Sequence, residues 1–220
     1  MDSILSSFQR EILEKLSKNY FITENFYFSG GTALSEFYLK HRFSEDFDFF
    51  TVRETDLKSL ATNVKPIFKS LNVDLIDFQE EASSKIFFIK KGGKEKIKVD
   101  FNFWAFERLN KGRKFNSLIV DGIFDIAVNK LYTILTRKKA RDFVDFYFIL
   151  QAYKSFTLGK LFNGLRKKYD WVVDPLYLAT CFLKIEDLHD YPKMIKEFSP
   201  EEMISYFIEL AKNQKKRIVT

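Results

Sequence analysis

Ser29-Gly30-Gly31-Thr32-Ala33-Leu34, followed by His41-Arg42-Phe43-Ser44-Glu45-Asp46-Phe47-Asp48-Phe49, is the stretch on which the fold turns. It is preceded by Phe26-Tyr27-Phe28, a short aromatic run that reads as a buried strand ending in a glycine turn. Thr32 to Lys40 then reads as a helix. Asp46 to Thr51 alternates between charge and aromatic ring, the period-2 pattern of a half-buried strand. On such a strand Asp46 and Asp48 project from one face, about 6–7 Å apart along the backbone, while Phe47 and Phe49 enter the core. Two carboxylates so spaced can converge on Mg²⁺, or Mn²⁺, which takes oxygen ligands and keeps room for water and phosphate oxygens.

The pattern continues outward from this centre. Residues 4–18 and 56–70 have helical spacing. Val73–Phe78, Lys85–Lys90 and Lys96–Phe103 read as strands, the last two joined by a Gly92-Gly93 hairpin turn. Asp100, in Ile97-Lys98-Val99-Asp100-Phe101, is a third carboxylate on a strand; beside the first acid strand it would complete a metal site or accept a proton from an attacking hydroxyl. Beyond Gly122 the spacing turns helical over 122–154, 157–168, 175–188 and 200–216. The expected architecture is α+β: a small mixed-sheet domain over 1–115, a helical bundle over 116–220, and a nucleotide in the cleft between them.

Composition bounds the function classes. The 220 residues include 26 Phe but only 8 Gly and 4 Pro, against disorder or low-complexity linkers. One cysteine, Cys181, excludes an internal disulfide and suits a reducing cytoplasm. Two histidines leave little for a His-based metal site or triad. The first residues carry no secretory pattern, and no apolar run is long enough to span a membrane, so no membrane partner is expected. Net charge is +6 and uneven: residues 1–50 carry 5 basic and 8 acidic groups, residues 51–120 carry 14 and 9, and residues 121–220 carry 17 and 13. Clusters such as Lys90/Lys91/Lys94/Lys96/Lys98 and Arg137/Lys138/Lys139/Arg141 either line a polyanion site or are solvated surface. Gly159 to Gly164 has the glycine spacing of a P-loop, but Leu165-Arg166 stands where Lys-Ser or Lys-Thr is required.

A D-x-D on a strand, alone, is often two exposed acids, and Gly-Gly alone is a turn. Strand, Gly-Gly turn, helix and acid strand in succession suit triphosphate chemistry, with backbone N–H groups toward phosphate and acids holding the metal. A second constellation lies at Asp125-Ile126-Ala127-Val128-Asn129-Lys130, Arg137 and Arg141-Asp142-x-x-Asp145-x-Tyr147-Phe148-x-Leu150. If the helix is unbroken, Lys130, Arg137 and Arg141 fall within about 40° of one face as a cationic stripe; Arg137-Lys138-Lys139 is the place where it would break. Arg141 and Asp145, four apart, are spaced to pair, and Lys130 on its apolar helix either snorkels or is held at a site.

Together, Gly-Gly-Thr-Ala-Leu, Arg42-x-Ser44-x-Asp46-x-Asp48-Phe49 and the later Lys and R-D-x-x-D motifs resemble the AbiEii-type nucleotidyltransferase toxins of the polymerase-β-like superfamily, from about Ser29 to Leu150. The resemblance implies an NTP-dependent, Mg²⁺-using nucleotidyltransferase that transfers NMP to an acceptor hydroxyl. It further implies an RNA acceptor such as a tRNA 3′ end, and a protein or RNA antitoxin. It assigns Asp46 and Asp48 to metal, where the strand reading adds Asp100, and these acids with Lys130 and Asp145 are the expected catalytic set. Gly30, Gly31, Thr32, Arg42, Ser44, Lys130, Arg141 and Asp142 are assigned to nucleotide, with the triphosphate as the partner of Lys130. A scaffold of this fold that only binds RNA or antitoxin, and an enzyme that nucleotidylates protein, are the competing readings.

Overall fold

The computed structural model describes residues 3–53, 57–93 and 95–216. Chain contacts divide it into two compact units, 1–123 and 124–220.

The first unit is built on a seven-stranded mixed sheet. Helix α1 (Ser7–Leu16) starts at a capping box: the Ser6 hydroxyl accepts from the Gln9 N–H, and the Gln9 side chain accepts from the Ser6 N–H. Helix α2 (Tyr20–Asn25) leads into strand β1 (Tyr27–Ser29). Helix α3 (Gly30–Leu34) runs directly into a π-helical turn, Ser35–Leu39, which ends at Lys40 in the left-handed region. Then come β2 (Phe47–Thr51), α4 (Leu57–Lys69), β3 (Leu75–Glu80), β4 (Ser84–Lys91), β5 (Glu95–Phe103), β6 (Arg113–Phe115) and β7 (Leu118–Val120). The strand order is β3-β4-β5-β2-β1-β7-β6. β2 runs parallel to β5 and antiparallel to β1, and β1 runs parallel to β7.

Part of the phenylalanine excess lies on one face of this sheet. Phe28, Phe47, Phe49, Phe87 and Phe101 are fully buried. Phe49 stacks on Phe101 with ring centroids 4.9 Å apart, and Phe28 meets Phe47 edge-on at 5.6 Å. Such ring pairs add about 0.5–1.5 kcal/mol each beyond their buried area. With Phe47 and Phe49 inside, period-2 alternation turns Asp48 to the opposite face. The unit runs on to Ile123 rather than ending at 115, because the β6–β7 hairpin belongs to the sheet: Phe28 on β1 registers with Val120 on β7.

The second unit is helical: α5 (Ile123–Thr136, whose first residue closes the first unit), α6 (Ala140–Ala152), α7 (Leu158–Tyr169), α8 (Pro175–Leu183) with a 3₁₀ turn over Lys184–Asp187, and α9 (Pro200–Lys216). Phe143 and Phe182 pack on Phe207 in its core. The expected single helix over 122–154 is broken at Arg137-Lys138-Lys139, three exposed cations between α5 and α6. The Asp190 carboxylate accepts from the Ala140 N–H at 3.1 Å and so caps the restart. Both glycines of the P-loop-like spacing, Gly159 and Gly164, lie within α7 as helix residues. Among the described residues no helix is long and apolar enough to cross a membrane.

Candidate active site

Gly30 is required by its backbone and by what crowds it, and Gly31 lies close against a neighbouring side chain. Gly30 has φ +77°, and a Cβ there would meet Asp48, lying 2.9 Å from its Cγ. A Cβ on Gly31 would collide with the Arg42 guanidinium and reach Ser44 Oγ at 3.3 Å. The turn is therefore pressed against the acid strand, and register pairs Ser29 with Asp48. Thr32 is fully buried; its hydroxyl donates to the Asp46 carbonyl and lies 2.8 Å from Ser44 Oγ. Arg42, 4% exposed, donates to the Phe43 carbonyl at 2.9 Å. Thr32, Arg42 and Ser44 thus brace the approach to the acid strand. Gln9 does the same from α1, donating to the carbonyls of Ser44 at 3.1 Å and Glu45 at 3.2 Å. Its role was not legible in sequence, because Gln9 reads only as a polar residue of a helix start.

Asp48 and Asp100 are direct cross-strand partners on parallel β2 and β5. Neighbours in register share a face, so the two carboxylates stand side by side. Asp46 lies immediately ahead of β2, and its charge acts on both Asp100 and Lys98. Asp100 is buried at 8% exposure; its Oδ2 pairs with Lys98 Nζ at 2.5 Å, while its buried Oδ1 has no partner. Burial raises the Asp100 pKa above the usual carboxylate range; Lys98 opposes this, and repulsion from Asp46 and Glu81 adds to it. Burial works to lower the Lys98 pKa, but the hydrogen bond and charge of Asp100, with the charges of Asp46 and Asp48, leave it raised.

No group of three or more acidic, His or Cys side chains among the described residues forms a ready metal cage. The donor set nevertheless fits Mg²⁺ in kind: two carboxylates on one sheet face and a third just ahead of the strand, one of them with an orphaned buried oxygen. Mg²⁺ is usually held by one or two carboxylates together with water and substrate phosphates, so a complete protein cage is not its ordinary site.

The second constellation assembles differently from its sequence reading. The helix break removes the cationic stripe. Lys130 turns inward, 2.8 Å from Asp142 Oδ1 and 2.6 Å from Asp145 Oδ2. Arg137 binds Asp142 through Nε at 2.7 Å and Nη2 at 3.0 Å. The expected Arg141–Asp145 pair gives way to Lys130–Asp145, and Arg141 is exposed. The partners of Lys130 are thus carboxylates of the fold itself. Burial alone would raise the Asp142 pKa, but Lys130 and Arg137 outweigh it and hold it below its ordinary value. One turn earlier on α5, Asp125 pairs with Lys168 of α7 at 2.9 Å, both side chains wholly buried, and Asn129 accepts from the Tyr169 hydroxyl at 2.7 Å.

The family model described as "Nucleotidyl transferase AbiEii toxin, Type IV TA system" matches residues 11–213. The chain is 30% identical over 207 residues to the Aquifex aeolicus (strain VF5) protein named "Uncharacterized protein aq_aa25", covering 90% of this chain and 95% of that one. Among solved structures, JHP933 of Helicobacter pylori matches with a TM-score of 0.59 at 21% identity, over 96% of this chain and 90% of its own. A second H. pylori protein, provisionally assigned as a nucleotidyltransferase, matches with a TM-score of 0.61 at 21% identity, over 97% of both chains. These two likenesses are of fold.

Proposed function

The chain belongs to the AbiEii family of nucleotidyltransferase toxins from type IV toxin–antitoxin systems, and on that premise we propose that it transfers NMP from an NTP to a hydroxyl of RNA, with a tRNA 3′ end as the favoured acceptor. The observation that carries the reading is the juxtaposition of Asp48 and Asp100 on adjacent strands, with the Gly30 turn pressed against Asp48. Asp46, Asp48 and Asp100 would hold Mg²⁺ or Mn²⁺, which when bound supplies charge neutralisation at the phosphates.

In the reaction the acceptor oxygen attacks the α-phosphorus, the bond to the bridging oxygen breaks, and pyrophosphate leaves. The hydroxyl proton passes to a carboxylate. Asp100, whose proton affinity burial raises, is suited to take it. Gly30 and Gly31 let the turn close against Asp48 and Arg42, so that its backbone N–H groups would face phosphate beside the acids, while Thr32, Arg42 and Ser44 serve the nucleotide indirectly by bracing the turn and the acid strand. In the helical unit, Arg141 offers an exposed guanidinium to phosphate. Lys130, Asp142 and Asp145 act as one ion network rather than as separate contacts. A toxin of this class implies an antitoxin, protein or RNA, and the cytoplasm as its setting.

The test incubates the purified protein with each labelled NTP, Mg²⁺, and either total tRNA or total protein. Label on RNA supports the reading. Label on protein moves the acceptor class, and label on neither leaves a binding scaffold.

A further inference from the structure

The acid cluster contains a fourth charged member that the reaction does not use. Register pairs Phe47 with Val99 and Asp48 with Asp100, and Asp46 lies immediately ahead of β2. Strands lie about 4.8 Å apart and like-facing residues about 6–7 Å along each. Three carboxylates and one ammonium, that of Lys98, meet at this end of the two strands. Alternation along β5 places Lys98 on the face of Asp100, and its Nζ lies 2.5 Å from Asp100 Oδ2. The charges of Asp46 and Asp48 also act on it. An ordinary surface ion pair contributes little, but here the acid partner side chain is 12% exposed and its second oxygen has no partner. The Lys98 side chain is 32% exposed, so its stem has a path to solvent.

We infer that Lys98 is the resident counter-cation of the acid cluster, holding its carboxylates together while no metal is bound and competing with the divalent ion for them. It thereby sets the metal concentration at which the site loads. The inference rests on the reading of Asp46, Asp48 and Asp100 as metal ligands. Two cations cannot share those oxygens without repulsion, so loading requires the ammonium to leave. Such competition makes the onset of activity depend on free metal, a restraint that suits a toxin.

The test measures Mn²⁺ binding to the full chain without nucleotide, by electron paramagnetic resonance of the free ion. Lys98→Met and Lys98→Gln both remove the charge, one apolar and one polar, so a packing defect in either is recognisable. Asp48→Asn serves as the site control. Both Lys98 variants are expected to bind Mn²⁺ about tenfold more tightly, equal to about 1.4 kcal/mol. They are also expected to melt below wild type in chelator, with the gap closing when Mn²⁺ is added. Binding by the variants alone, with wild type below detection, is the same result in stronger form. Equal affinity in wild type and both variants, lost in Asp48→Asn, overturns the role of Lys98 and leaves the metal reading standing. Absence of binding in every protein, or binding that survives Asp48→Asn, overturns both.

Discussion

Replacing Lys130 by Met removes the ammonium shared by Asp142 and Asp145 while keeping most of the stem. The Lys130 side chain is 8% exposed, Asp142 1% and Asp145 0%, so the carboxylates cannot turn to water for compensation. Removing one partner of a buried pair costs about 3–5 kcal/mol. Arg137 still binds Asp142 through two N–H groups, which argues for the lower end, about 3 kcal/mol. For a chain of this size each kcal/mol moves the melting temperature by about 2–4 °C, giving a drop of roughly 6–12 °C. The assay is thermal denaturation of the apo protein, repeated on Asp145→Asn and on the double variant. Asp145→Asn removes the charge that Lys130 was holding, so the double variant should be more stable than the two single losses added together, by about 0.5–3 kcal/mol. A Lys130→Met protein melting within about 2 °C of wild type, or strictly additive losses, would refute the reasoning and return Lys130 to the role of a lysine waiting for its ligand.

Gly30→Ala puts a Cβ at φ +77° against Asp48; the left-handed backbone alone costs about 1–2 kcal/mol, so melting should fall by several degrees while nucleotidyl transfer is lost outright, read from one preparation by circular dichroism and by label incorporation. Asp48→Asn should abolish transfer with no loss of melting temperature, since it takes a charge out of a cluster of like charges; measurable turnover would remove Asp48 from the site. For pH, the Asp142 pKa is depressed in the fold, so its stabilisation is fully present above the unfolded value of about 3.9 and is lost as pH falls through the folded one. The stability gap between wild type and Asp142→Asn, from urea midpoints, should close below about pH 4. Asp100 has the opposite sign: its raised folded pKa means that stability is lost as pH rises from the unfolded value through the folded one, and Asp100→Asn should remove that loss.

Much of the first unit was legible because its signals are local. Alternation in Phe47-Asp48-Phe49 fixes which side chains enter the core, and Gly92-Gly93, both at positive φ, mark the hairpin. The pieces that escaped are those whose pairing is tertiary. The strands Arg113–Phe115 and Leu118–Val120 are three residues each, too short for a period, and exist because β1 offers an edge for β7. The break after Thr136 contains neither Pro nor Gly and is held instead by Asp190, fifty residues away from Ala140. The pairing of Arg141 with Asp145 follows from spacing along one helix, whereas Lys130 reaches Asp145 from another helix. That contact is the stronger because both groups are shielded from water. Lys98 reads as one member of a basic run until register sets it among acids.

The two acid clusters differ in how their charge is balanced, and the difference bears on what each does. In the helical unit, two carboxylates meet the ammonium of Lys130 and the guanidinium of Arg137, with distances between 2.6 and 3.0 Å. In that network each charge meets an opposite one within the fold, so its first consequence is to fix α5 against α6. On the sheet, three carboxylates gather around the ammonium of Lys98, and a buried oxygen of Asp100 is left without a donor. A cluster that folds with more negative charge than its own cation offsets is destabilised until another cation arrives. The excess is tolerated because β2 and β5 are anchored from the other face by Phe47, Phe49 and Phe101. Burial of those rings opposes the repulsion that would otherwise part the strands. The core phenylalanines are therefore what permits an acidic site to exist on this sheet, and shaving one of them should loosen the carboxylates before it unfolds the chain.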